Sequence, residues 1–156
     1  MTLTLLLHVI SIFNWITVKF CIMENKYPGI VRSYDAIYLI DSKIRFHLVF
    51  RWTDLGMRVE TEEPLSLNEW HHMAVTYDGN TNAAGTRIYV DGKPRKLKVL
   101  FDQHLWPIEN KAPFRVGAGG GKEYNFQGEI DAVKVWSREL GQHEIAAIAL
   151  EDRLNE

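Results

Sequence analysis

The sequence predicts an all-β fold, a sandwich or barrel of antiparallel strands with one helix near its C-terminus. Three observations carry this reading. Turn-forming residues recur about every ten positions, as Pro28-Gly29, Asp41-Ser42-Lys43, Thr53-Asp54-Leu55-Gly56, Asp78-Gly79-Asn80, Asp91-Gly92 and Gly119-Gly120-Gly121. The segments between them are short and rich in Val, Ile, Phe, Tyr and Trp, which suit a pleated, half-buried surface. Where a segment is long enough to show a period, the period is two.

Each element follows in chain order. Residues 2–22 are apolar apart from a few positions such as His8, Asn14 and Lys19. A signal peptide needs positive charge before the apolar run and a small-residue cleavage site after it, and neither is recognised. A membrane span needs about 20 apolar residues, but Asn14, Trp15 and Lys19 interrupt the run and β-branched residues dominate it. One or two core strands are expected here, with one placed at 9–18. In 44–52, Ile44, Phe46, Leu48, Phe50 and Trp52 alternate with Arg45, His47, Val49 and Arg51. The first set belongs to a core face and the second to an open face. Residues 57–61 pair back through a four-residue turn, and 70–77 form a further strand. Residues 86–90 and 95–101 read as a hairpin about Asp91-Gly92. Segments 113–117 and 126–136 complete the strands. Phe126, Gly128 and Ile130 share one parity while Val133 and Val135 share the other, so a β-bulge is expected near Asp131-Ala132. Residues 142–152 carry Ile145, Ile148 and Ala149 on one stripe, the mark of a helix covering an edge or end of the sheets.

The composition narrows the functional classes. The chain has 156 residues, enough for one domain with a core of its own. Its net charge of −2 offers no basic field for nucleic acid. Cys21 is the single cysteine, so neither an intramolecular disulfide nor a cysteine zinc site can form. Five Trp, six Tyr and seven Phe supply flat apolar faces that suit both strands and sugar rings.

Three segments carry a resemblance. They are Trp70-His71-His72-Met73-Ala74-Val75-Thr76-Tyr77-Asp78-Gly79, then Ile88-Tyr89-Val90-Asp91-Gly92-Lys93-Pro94, then the run from Phe126 to Leu140, FQGEIDAVKVWSREL. In this order and spacing they resemble the laminin-G-like branch of the concanavalin-A-like lectin/glucanase superfamily, of the kind found in bacterial envelope proteins. The resemblance implies a two-sheet antiparallel jelly roll with a concave and a convex face. It also implies a secreted or envelope setting and a carbohydrate or glycosylated protein as partner. Domains of this kind begin with an extra strand ahead of 9–18, so the resemblance further implies a module of a larger protein without its first strand, which would leave an edge unpaired.

Candidate ligand residues fall in two groups. Arg45, His47 and Arg51 share one strand face and form a polar strip. Trp106 and Tyr124 lie in loops where rings can stack on a sugar, with His104 and Asn110 nearby as hydrogen-bonding groups. The strip also fits the solvated side of a half-buried strand, and Trp106 also fits a plug at the core edge.

Other constellations are weaker. Related sandwich glucanases carry Glu-x-Asp-x-(x)-Glu on one strand, and retaining hydrolysis needs two carboxyls about 5–5.5 Å apart. Here Glu129 and Asp131 are present, but Val133 and Lys134 stand where the last carboxylate belongs, so the proton donor is missing. The resemblance also offers Asp131 as a ligand for structural calcium, a cation that takes six to eight oxygens. His71 and His72 are adjacent, so on a strand they point to opposite faces and cannot share a metal. His143-Glu144-Ile145-Ala146-Ala147 opens like a zinc-protease helix, but Ala147 replaces the second histidine. Gly117 to Lys122 has phosphate-loop glycines at the wrong spacing.

Overall fold

A computed structural model describes residues 3–11, 15–18, 34–51, 55–103, 116–117, 126 and 128–154. Ten strands and two helical elements follow one another through it. They are β1 (Leu3–Ser11), β2 (Trp15–Val18), β3 (Tyr34–Ile40), β4 (Lys43–Arg51), β5 (Leu55–Thr61) and β6 (Trp70–Tyr77). After a short 3-10 turn at Ala83–Gly85 come β7 (Thr86–Val90), β8 (Lys93–Pro94), β9 (Leu97–Asp102), β10 (Gly128–Trp136) and helix α1 (Gln142–Leu154).

The strands form two antiparallel five-stranded sheets. The first has the order β10-β1-β6-β7-β8, the second β2-β3-β4-β5-β9. Alternation fills the space between them. Leu5, Met73, Val75, Tyr77, Ile88 and Val90 of the first sheet meet Ile37, Leu39, Ile44, Phe46, Leu48, Met57 and Val59 of the second in one core. Each buried Val, Leu or Ile contributes about 1.5–3 kcal/mol by leaving water, so this layer dominates stability.

The opposite parity of the first sheet builds a second, smaller core. Leu6, Ala74 and Tyr89 point away from the sandwich and are covered by Leu140 and Ile145, with Trp136 and Ile148 against them. Helix α1 carries the predicted Ile145, Ile148 and Ala149 stripe, but it roofs the outer face of the first sheet where an edge or end was expected. Its entry is fixed by Glu144, whose carboxylate takes the Gly141 N–H at 2.9 Å and the Arg138 guanidinium at 2.6 and 3.0 Å. Gly92 lets the helix come close: its φ is +73°, and a Cβ there would lie 3.0 Å from Ala146 Cα.

Three expectations are met in detail. β6 spans 70–77, and its two parities divide between the two cores. The bulge in β10 is present: pairing with β1 slips between Leu6 and His8, and Ala132 has a φ of 49°. The strand expected at 44–52 runs from Lys43 to Arg51.

Two details differ. The Asp91-Gly92 turn joins β7 to the two-residue β8, and residues 97–102 cross over to pair with β5 in the other sheet. The Arg95 N–H still bonds the Ile88 carbonyl at 2.8 Å, and one residue later the chain has crossed, the Lys96 carbonyl accepting the Glu62 N–H at 3.0 Å. The N-terminal apolar run also divides: β1 lies in the first sheet and β2 in the second, so the strand expected at 9–18 is two strands on opposite layers. Alternation cannot show such a switch, because both halves have apolar faces.

Candidate functional site

Pairing in the second sheet sets the geometry. Tyr38 lies opposite Arg45, Arg45 opposite Glu60, and Glu60 opposite Lys98. One step along, Ala36 lies opposite His47, His47 opposite Arg58, and Arg58 opposite Phe101. Both rows have the parity that faces away from the core, since Ile44, Phe46 and Leu48 take the inward positions of β4.

The first row is held by charge. Arg45 Nε donates to Glu60 Oε2, and Lys43 Nζ stands 3.9 Å from Glu60 Oε1. The carboxylate is nearly closed off, at 8% side-chain exposure, while Arg45 and Lys43 keep 25% and 33%. Burial works most strongly against the Arg45 charge, but the hydrogen bond it donates to Glu60, the Glu60 charge and Tyr38 together outweigh it and hold the guanidinium above its ordinary value. A shielded carboxylate thus fixes two cations whose outer portions remain in contact with solvent. Between the rows Tyr38 and His47 stack edge to face at 5.0 Å, and within the second the Arg58 guanidinium lies 5.9 Å from the centre of the Phe101 ring.

The sequence strip is only partly open. Arg45 is at the surface as expected, but His47 is 3% exposed, and Ala36, Tyr38 and Val49 on the same face are also buried. Alternation tells which side of a sheet a residue takes; it does not tell whether that side is covered. Arg51 ends β4, and its side chain lies outside the described residues, as do Trp106, Tyr124, His104 and Asn110.

Asp131 stands elsewhere, on β10 of the first sheet. It is exposed, and its Oδ1 accepts the Ala132 N–H at 2.6 Å, closing the bulge. Among the described residues no group of three or more His, Cys, Asp or Glu side chains gathers into a metal-sized cluster. One carboxylate, already turned to its own backbone, falls short of the oxygens calcium requires. Glu129 is likewise exposed on β10.

The strip contains residues that sequence reasoning passed over, namely Lys43, Tyr38, Glu60, Arg58, Lys98 and Phe101. The missing signal was register. β4 and β5 meet with Arg51 opposite Leu55 and with an irregularity between Val49 and Arg51. A four-residue turn at 53–56 would slide Glu60 away from Arg45.

A jelly-roll sandwich with one roofed outer face and one polar, partly open outer face belongs to the lectin-like class of β-sandwich. The family model of the concanavalin A-like lectin/glucanases superfamily, laminin G type, matches residues 30–146, and the chain belongs to that family. A candidate carbohydrate-binding protein from Bacteroides ovatus has a similar structure (TM-score 0.61, 19% identity, 93% of this chain and 40% of that one). So does domain 4 of an extracellular arabinanase from Geobacillus stearothermophilus, solved with arabinotriose (0.58, 18%, 95% and 66%). The mouse laminin α1 chain, domains LG4-5, is a third (0.58, 14%, 91% and 37%). The chain thus spans less than two thirds of the length of each. No curated protein matches the sequence. Among the described residues, no helix is long and apolar enough to cross a membrane.

Proposed function

We propose that the chain is a non-catalytic module that binds carbohydrate or a glycosylated protein, within a larger secreted or envelope protein. The observation that carries this reading is the Lys43–Arg45–Glu60 arrangement: a shielded carboxylate orienting two partly exposed cations on the outer face that α1 does not roof. Preorganised charged donors of this kind suit the hydroxyl and ring oxygens of sugars. Arg51 is proposed to extend the strip, with the buried His47 beneath it, and Trp106, Tyr124, His104 and Asn110 are proposed as a rim that stacks on and hydrogen-bonds the ligand. The arabinanase domain solved with arabinotriose supports the ligand class, and the extracellular setting of that enzyme supports the compartment.

Catalysis is not part of this reading. Glu129 and Asp131 alternate on β10, and past the bulge the same face continues with Lys134 and Trp136, so β10 offers no further carboxylate there to protonate a leaving group. Calcium at Asp131 is a separable proposal, supported by the family resemblance alone. Melting the protein with calcium and with a chelator tests it; a Tm that moves only in wild type and not in Asp131→Asn sustains it, and no movement ends it.

The main test is a glycan array read alongside affinity gels of plant, algal and bacterial polysaccharides. Retention that falls in Arg45→Ala and in Trp106→Ala sustains the reading. No retention on any glycan refutes it. A second reading, a spacer or protein-docking module, is favoured by β10, an edge strand whose Val133 and Val135 are exposed. Pull-down of a protein from the same secreted or envelope fraction, undiminished by enzymatic deglycosylation, favours it.

A further inference from the structure

His71 occupies an unusual position at one end of the sandwich. It is the first inward residue of β6 and is buried, at 7% exposure. Its Nδ1 lies 3.0 Å from Asp91 Oδ2, in the turn between β7 and β8. Its Nε2 lies 2.9 Å from Ser66 Oγ and 3.2 Å from the Ser66 carbonyl oxygen, in the loop between β5 and β6. The order Ser66, His71, Asp91 has the spacing of a hydrolytic relay. The carbonyl contact argues otherwise. A carbonyl only accepts and a carboxylate only accepts, so the ring satisfies both as an imidazolium, a form in which Nε2 has no lone pair to activate the serine.

The surrounding charges agree with an imidazolium. Asp91 also accepts the His72 backbone N–H at 3.1 Å through Oδ1, and Arg153 of α1 stands 3.7 Å from the same oxygen. Glu69 Oε1 lies 3.7 Å from His71 Nε2. Two carboxylates and a carbonyl therefore face the ring, with one distant cation that bears on Asp91. The His72 ring, on the outer parity of β6, faces Asp152 of α1 at 3.8 Å, and Asp152 is held in turn by Lys134 of β10 at 2.6 Å. His8 of β1 is the register partner of His72.

We propose that His71 is a proton-operated latch: as an imidazolium it ties the 62–69 loop to the Asp91-Gly92 turn, and on losing its proton it loosens its hold on the loop. The neutral ring can donate from one nitrogen only, so with Nδ1–H kept on Asp91 the Ser66 carbonyl loses its donor and only the Ser66 hydroxyl, now donating to Nε2, still ties the loop to the ring. The loop begins immediately after Glu60 and Thr61; its first residues are also held by the Glu62 N–H on the Lys96 carbonyl at 3.0 Å and by Arg95 on Glu63 at 3.0 Å, and its middle by Leu65, whose N–H bonds the Ser42 carbonyl at 2.7 Å. Ser42 immediately precedes Lys43. The latch thus sits next to the strip proposed to bind ligand, and its effect on ligand rests on that reading, whereas the latch itself does not.

The sign follows from the same contacts. The Asp91 hydrogen bond outweighs burial and raises His71 above its ordinary value, so the stabilisation is complete below about 6.5 and disappears as pH rises through the folded value. The experiment is a proton-NMR titration of the histidine rings, with hydrogen exchange of the 62–69 amides at about pH 5.5 and about pH 8, either side of the ordinary histidine value and corrected for intrinsic exchange. A His71 midpoint above about 6.5 is expected. Protection of the loop should fall severalfold on going to the higher pH in wild type and not in His71→Gln or Asp91→Asn. Either a midpoint at or below the free-histidine value or loop protection indifferent to pH in wild type overturns the latch. Neither readout involves ligand, so failure of the carbohydrate reading leaves the latch testable.

Discussion

The Thr4 hydroxyl bonds Leu140 across nearly the whole sequence, accepting its N–H at 2.8 Å and donating to the Arg138 carbonyl at 2.8 Å. Thr4 is fully buried on the outer parity of β1, under the chain that leads into α1. One hydroxyl thus satisfies two backbone groups that have left β10 and not yet entered the helix. Thr4→Val keeps the shape and removes both bonds. It should cost about 1–3 kcal/mol, read by urea denaturation with an unchanged m-value.

Ile145 is the centre of the helix roof and has no exposed surface. Ile145→Ala should cost about 2–5 kcal/mol, with faster amide exchange in α1 than in β4. A loss spread evenly over both sheets would show that the roof and the sandwich unfold as one unit.

Gly56 is required by its surroundings. Its φ is +150°, and an added Cβ would stand 2.4 Å from the Leu48 carbonyl oxygen and 2.7 Å from Val49 Cα, both backbone atoms that cannot rotate away. Gly56→Ala should destabilise by at least about 3 kcal/mol, since strain and clash act together. A soluble variant with wild-type melting would contradict the β4–β5 register.

Acid should loosen the start of α1. The Arg138 hydrogen bond, with the Gly141 N–H, lowers the Glu144 carboxyl to about 2. A carboxyl depressed in the folded state contributes stability that is complete above its unfolded value and is lost as pH falls through the folded one. Helix-start protection should therefore decline between about pH 4.5 and about pH 2 and should be insensitive to pH over that window in Glu144→Gln. Exchange of the 142–146 amides checks it.

Binding should respond to Glu60 as well as to Arg45. Glu60→Gln leaves the side-chain shape but removes the charge that orients Lys43 and Arg45, so affinity for a retained glycan should fall about tenfold, the range of a lost charge-assisted contact. Titration calorimetry reads it, and affinity equal to wild type would remove the strip from the site.

Much of this was legible in the residues. The alternation from Ile44 to Leu48, the split parity of β6 and the phase slip at Ala132 are local, and local patterns survive folding. What escaped was non-local. Leu97–Asp102 joins the far sheet because the chain crosses between Arg95, still bonded to Ile88, and Lys96, already bonded to Glu62, and nothing within 95–101 announces that. Arg45 was found, but Glu60 was not, because their meeting depends on a turn one or two residues tighter than its sequence suggests. Asp91 read only as a turn former, and its partnership with His71, twenty positions away, is visible only once β6 and β7 are paired. The loop aromatics Trp106 and Tyr124 fall outside the described residues.

The kink at Ala132 has a consequence for life at high concentration. Among the described residues β10 runs along the margin of its sheet, with Val133 and Val135 exposed, and a straight margin of that length would invite a stray extended chain to zip on. With its backbone turned out of phase at Ala132, the margin offers two short ladders that no single straight intruder can match together. Straightening it by deleting one residue should turn this margin into a nucleus for fibrous self-association.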